Sequence, residues 1–452
     1  MKILQAFAVS ALVGSIAACG TSAVSQAVQD TESGPTSTFV DLGLPDADAL
    51  LFRPAAADAR GIALLFAHPS GNSFKDPLPP AMASRGFPTL VVNRHADTED
   101  PDELFFAAMS DGIKYLHTVE GIDRVILIGH SGGGHLAAYY QNVAENGAAA
   151  CSGPEKLYPC DVKRATGLEP ADGLALIDST LGAFHDATSI DPAYVDDGQH
   201  GTFLPEADMF AGTNGYDPET GEAHYSPAFI KAFNAAQAKR SMSITSDALE
   251  ALDAIKNGTG RYSDDAPSKI DGMGLHGVGA RIYQPDTSLQ AHTKEPHPVS
   301  GVDGAIRTEI VQSVRAPNGE RSRQSRGNLS NGTRITTVRN YLSNTAIRFN
   351  PDYEMGEDDI TGIDWASAVN STPSNVAGIH APTLVMVMTC HYLVVPGEII
   401  FDHLATNDKS FLAIEGATHV FTPCSKSFGD TPNRTFDALA AWLDEPGRFG
   451  SD

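Results

Sequence analysis

Cations are scarce in this chain. Lys and Arg together number 31 against 56 Asp and Glu, a formal net charge of -25 over 452 residues, and so acidic a surface argues against nucleic acid as a partner. Cysteine is sparse as well. Five cysteines occur, and their spacing is a poor match to a zinc module. The apolar run over residues 3–16 is shorter than the ~20 residues that a membrane-spanning helix requires. No internal repeat is visible, which excludes a solenoid or propeller array. What is abundant is core-forming material. With 42% hydrophobic residues, the chain can bury a large interior and accommodate one catalytic domain with a sizeable insertion.

The N-terminal 18 residues read as an export signal: Lys2 supplies positive charge, an apolar stretch follows, and Ala17-Ala18-Cys19-Gly20 closes it with small residues. Ile16-Ala17-Ala18-Cys19 resembles a bacterial lipobox, which implies lipidation of Cys19 and attachment to the cell envelope through that anchor. An ordinary cleaved signal that happens to contain Cys19 is the alternative. Residues 19–38, rich in Ser, Thr, Gln and Gly, have the composition of a flexible tether. An exported chain meets an oxidising compartment, so Cys151, Cys160, Cys390 and Cys424 are expected to form two disulfides. Three connectivities are open. Cys151 and Cys160 share one loop, whereas Cys390 and Cys424 fall in two segments assigned to neighbouring loops, which favours pairing within each of these couples.

Apolar runs suggest strands at residues 39–42, 49–53, 61–68, 89–93, 124–128 and 173–178. Phe105, Met109, Ile113 and Leu116 form one helical face between the fourth and fifth. Alternation of this kind predicts an α/β fold, a mostly parallel sheet with helices on both faces. The next convincing strand is residues 383–388, followed by a final strand at 410–414 and a helix at 436–443. The organisation expected is therefore a core over 39–178 and 376–452, interrupted by a cap insertion over 179–375. Asp217, Glu219 and Glu222 sit among turn residues, but their spacing does not match a calcium loop, and no metal or organic cofactor is implied.

Ser131 carries the sharpest signal. Val125-Ile126-Leu127-Ile128 breaks into Gly129-His130-Ser131-Gly132-Gly133 and runs on into a helical pattern, a nucleophile elbow. A serine hydroxyl needs a base to take its proton, and His419, in Gly416-Ala417-Thr418-His419 after the last strand, is placed to return over it. The oxyanion of an acyl-transfer intermediate needs backbone donors. Gly132 offers one and the loop His68-Pro69-Ser70-Gly71-Asn72 the other; Pro69 has no N–H, so Ser70 is the expected donor, with Gly71 next.

These motifs together resemble those of α/β-hydrolases, in particular a bacterial esterase-like group with His-Pro-Ser-Gly-Asn, Gly-x-Ser-Gly-Gly-Gly and Gly-Ala-Thr-His. The resemblance covers roughly residues 39–178 and 383–443. It implies hydrolysis of a carboxylic ester or related acyl bond of a small molecule through an acyl-enzyme at Ser131. Acyl transfer to another acceptor would use the same residues, and a non-catalytic binding lipoprotein that keeps the fold is the rival from another class. The acid departs from the family pattern. No carboxylate follows residues 383–388 at the usual place, so Glu398 is the expected triad acid, Asp178 the alternative and Asp402 a third choice, with a Cys390–Cys424 link expected to hold the acid-bearing loop against His419.

Overall fold

The computed structural model describes residues 34–450 except 56–59, 70–71, 96–99, 196–201, 275–278 and 327–331. Cys19, the export signal and most of the tether lie outside the described residues. Six strands form before the insertion: β1 (Thr36–Val40), β2 (Ala47–Arg53), β3 (Ile62–Ala67), β4 (Thr89–Arg94), β5 (Arg124–His130) and β6 (Gly173–Ile177). The insertion contributes β7 (Pro267–Asp271), β8 (His292–Ser300), β9 (Ile306–Gln312), β10 (Thr333–Thr337), β11 (Arg348–Met355) and β12 (Ile360–Asp364). The chain closes with β13 (Thr383–Met388) and β14 (Lys409–Ile414).

Ten of these strands form one sheet in the order β1-β2-β4-β3-β5-β6-β13-β14-β8-β9. The stretch from β4 to β8 is parallel throughout, and antiparallel pairs close both edges. The central strands are near-continuous apolar runs because both faces are covered. In β5, Val125 and Leu127 enter one core cluster while Ile126 and Ile128 enter the other, the pattern of a buried parallel sheet. The helix Phe106–Thr118 buries Met109, Ile113 and Leu116 as its spacing predicts.

The insertion is not wholly a cap. Its hairpin β8–β9 extends the core sheet beyond β14, with β8 pairing to β14 only at Val299 and Ser300. Pro296 and Pro298 hid this strand from the sequence pattern. They are tolerated because at those positions β8 is paired on one side only, so the missing N–H leaves no ladder bond unmade there. The remaining insertion builds two small antiparallel pairs, β7–β10 and β11–β12, and the helix Pro227–Lys256. No helix among the described residues is long and apolar enough to cross a membrane.

Candidate active site

β5 ends at His130, and Ser131 turns the chain into the helix Gly132–Asn146 with φ 58° and ψ -126°. This backbone conformation is strained for a residue with a side chain. Two glycines make the turn possible. A Cβ on Gly129 would lie 2.5 Å from the Gly133 carbonyl oxygen, and one on Gly134 would lie 2.1 Å from the Ser179 hydroxyl, which closely follows β6. Elbow and β6 loop are thus packed in direct contact.

His419 stands over the elbow. Its Nε2 lies 2.8 Å from Ser131 Oγ, and its Nδ1 lies 2.6 Å from Asp178 Oδ2. The His130 ring anchors the loop from below, with Nε2 at 2.8 Å donating to the His419 carbonyl. Asp178 is fully buried at the end of β6 and has φ 44°; its N–H donates to the Met386 carbonyl at 2.7 Å, and its Oδ1 accepts from the Met388 N–H at 3.2 Å. Burial by itself would raise its carboxyl pKa. The adjacent His391 and His419 outweigh burial and hold it well below the usual carboxylate range.

The structure corrects the expected acid. Glu398 is buried in the helix Val394–His403, and both its carboxylate oxygens face β8: Oε1 accepts from the Glu295 N–H and lies 2.8 Å from His297 Nε2, and Oε2 accepts from the Lys294 N–H. Burial would raise its pKa, but these hydrogen bonds lower it. Glu398 therefore serves His297, and its bonds do not include His419. Asp402, exposed on the last turn of that helix, likewise has no hydrogen bond or ion pair to His419 among the described residues. The acid next to His419 is the alternative, Asp178.

Gly132 begins the helix, so its N–H has no intrahelical acceptor and is available to a developing negative charge at the positive end of the helix dipole. His68 and Pro69 approach Gly132 closely: a Cβ there would sit 3.5 Å from His68 Nε2 and from Pro69 Cγ. The expected partner loop is thus beside the elbow. Its donors Ser70 and Gly71 lie outside the described residues.

Both expected cysteine pairs are joined, Cys151 to Cys160 and Cys390 to Cys424, with Cα separations of 5.5 and 6.2 Å. The second tie does more than was anticipated. It holds the loop after β13 against the His419 loop, and that loop brings His391, not an acid, to the site. His391 Nδ1 lies 2.7 Å from Asp178 Oδ2, the same oxygen that His419 uses, and the two imidazoles stack with centroids 4.3 Å apart. His391 Nδ1 makes no hydrogen bond among the described residues. The adjacency of His391 to Cys390 was the available sequence signal. Asp178, His391 and His419 also form a cluster able to ligate a metal ion, their ligand atoms lying within 4.8 Å of one another, but a bound cation would compete with the histidine–aspartate hydrogen bond. Asp217, by contrast, accepts the Glu219 N–H within its own turn.

Ser131 opens into a cavity of about 370 Å³ between the sheet and the insertion. In its wall, His135, on the first turn after the elbow, bridges Thr180 and Asp102, and Arg334 pairs with Asp186 at 3.0 Å.

No protein-family model matches this chain, and no curated protein matches it in sequence. Solved structures similar to it include a hypothetical protein from Pseudomonas aeruginosa, at 13% identity and a TM-score of 0.40 over 92% of this chain and 94% of that one. Carboxyl esterase 2 from Tuber melanosporum is similar at 11% identity and a TM-score of 0.39, over 92% and 87%. Dienelactone hydrolase from Anabaena variabilis follows at 11% and 0.36, over 91% and 97%. The fold is an α/β one, a mostly parallel sheet with helices around it. In this fold, the elbow after β5, the acid after β6 and the histidine after β14 all lie at the carboxyl ends of parallel strands, where open α/β sheets bind their ligands.

Proposed function

We propose that this chain is a serine hydrolase that cleaves a carboxylic ester of a small molecule through an acyl-enzyme at Ser131. The observation that carries this reading is the continuous path from Ser131 Oγ through His419 Nε2 and Nδ1 to Asp178, at 2.8 and 2.6 Å. Ser131 attacks the ester carbonyl as His419 takes its proton. Asp178 fixes the tautomer that leaves Nε2 free to accept and stabilises the imidazolium that results. The tetrahedral oxyanion is held by the Gly132 N–H and by the Ser70 loop, and collapse expels the alcohol with the proton returned by His419. Water, activated by the same histidine, then releases the acid.

Export, with Cys19 lipidated and anchoring the chain to the cell envelope, belongs to the same reading, and the two disulfides support an oxidising destination. Radiolabelled palmitate incorporated by the wild type and lost in Cys19→Ala is the outcome expected; equal labelling of both chains contradicts the anchor. For the activity, a fluorophosphonate probe should label the wild-type chain at Ser131, and Ser131→Ala should lose both label and ester hydrolysis while remaining folded. Labelling of a different serine overturns the assignment.

A further inference from the structure

The cavity beside Ser131 is lined chiefly by polar and charged residues. Of the described residues that line it, only Pro69, Leu393 and Tyr392 present hydrophobic side chains. The apolar void behind Tyr392 and Leu393 holds about 10 Å³, room for a single water and no acyl tail. A long hydrocarbon placed in the main cavity would strip water from histidines, amides and charged groups without replacing its hydrogen bonds.

Two charged pairs stand in the cavity wall, which Arg321 also lines. Arg334 meets Asp186, and His135 meets Asp102 at 3.1 Å. Burial would raise the Asp186 carboxyl, but Arg334, His185 and Arg281 lower it, so it stays charged and keeps its pairing. An anionic substrate at Arg334 would have to displace Asp186 from it. Two amide oxygens of the wall are unmet. Asn370 Oδ1 and Gln284 Oε1 are buried acceptors, in residues 3% and 5% exposed, with no hydrogen-bond partner among the described residues. Both residues line the cavity, the two oxygens lying just beneath its surface. An acceptor calls for a donor, which neither an ester group nor a hydrocarbon supplies. A hydroxyl does, and it also accepts from the amide and imidazole N–H groups around the same wall.

We propose, resting on the ester-hydrolase reading above, that the substrate is a short-chain acyl ester of a polyhydroxylated alcohol such as a sugar, whose hydroxyls bond to the wall that contains Asn370 and Gln284. The bond broken is the acyl C–O bond; water supplies the hydroxyl of the released short carboxylic acid, and the sugar oxygen leaves with the proton from His419.

The test is a panel on the wild-type full chain: acetylated glucose, decanoylated glucose, butyl acetate and butyl decanoate, with fluorophosphonate labelling of the same preparation. Acetylated glucose should exceed both butyl acetate and decanoylated glucose in kcat/KM by about tenfold or more, since a site built for hydroxyls discriminates strongly against analogues that lack them. In Gln284→Leu, kcat/KM for acetylated glucose should fall about fivefold further than for butyl acetate, the loss expected for one substrate hydrogen bond. Butyl acetate hydrolysed as well as acetylated glucose, or either decanoate preferred, overturns the substrate class while labelled Ser131 leaves the hydrolase reading standing. Equal losses for both acetates in Gln284→Leu remove that residue from sugar recognition. Failure to label Ser131, with no hydrolysis of any ester, overturns the hydrolase reading itself.

Discussion

Two buried carboxylate–histidine hydrogen bonds of almost equal length invite comparison, Asp178 with His419 at 2.6 Å and Glu398 with His297 at 2.8 Å. Both carboxylates are buried, both accept backbone N–H groups, and both have lowered pKa values despite burial. They differ in what the histidine does with its surroundings. His297 is enclosed against Phe401 and Phe411, the nearer ring centroid 4.1 Å away, so its pair fastens the helix Val394–His403 to β8. His419 keeps a face on the cavity and reaches Ser131 with its second nitrogen. A buried acid and a histidine make a structural clamp. They become a relay only when the far nitrogen meets a nucleophile beside open space.

The comparison breaks most visibly at the nucleophile. Ser131→Ala should lower ester turnover about 10⁴-fold or more, measured with p-nitrophenyl acetate, because the remaining groups have nothing to activate. Retention of more than a few per cent of the rate would detach the relay from Ser131.

The disulfide between the two loops offers the next test. Cys424→Ser should lower unfolding free energy by about 2–4 kcal/mol and reduce turnover, because the His391 and His419 loops lose their covalent tie. Denaturant unfolding and steady-state rates on the same samples measure both. Unchanged values in each would show that the backbone bond from the Cys390 N–H to the Ala417 carbonyl suffices to join the loops.

His391 sharpens the comparison further, since the clamp has one imidazole per acid and the relay has two. Removing it in His391→Gln leaves the Asp178 oxygen to His419 alone. Turnover of p-nitrophenyl acetate should fall by less than about tenfold, because the path from Ser131 through His419 to Asp178 keeps both its hydrogen bonds. A loss as large as that of Ser131→Ala would contradict this.

The smallest effect on turnover belongs to the clamp. Glu398→Gln should cost about 1–3 kcal/mol of stability, the consequence of weakening a buried hydrogen-bonded carboxylate, while turnover changes by less than about threefold. Urea unfolding and initial rates report the two.

The strands of the core and the elbow were legible in the sequence because each is local: a buried apolar run, a glycine pattern that a tight turn imposes, a histidine after the last strand. The acid was not local. Asp178 lies 241 residues from His419, and what joins them is the register of β6, β13 and β14, which no spacing in the chain reveals. Glu398 attracts the assignment because it follows β13 and no carboxylate stands immediately after that strand. Its true partner was invisible for a linked reason. His297 stands between Pro296 and Pro298 in β8, and the two prolines concealed a strand within what read as cap. His391 reads from the sequence as a residue beside the catalytic loops, there to touch substrate or to pack, because nothing in its neighbourhood identifies the oxygen that it shares.

Asp178→Asn set beside Glu398→Gln tests the central claim most directly, with kcat for p-nitrophenyl acetate measured on variants whose folding is verified by circular dichroism. An amide at position 178 can no longer stabilise the imidazolium or hold the productive tautomer, and the corresponding exchange in a serine protease costs about 10⁴-fold. The account requires a loss of about 10³- to 10⁴-fold in Asp178→Asn and near wild-type turnover in Glu398→Gln. A collapse of turnover in Glu398→Gln, with Asp178→Asn nearly silent, would contradict it.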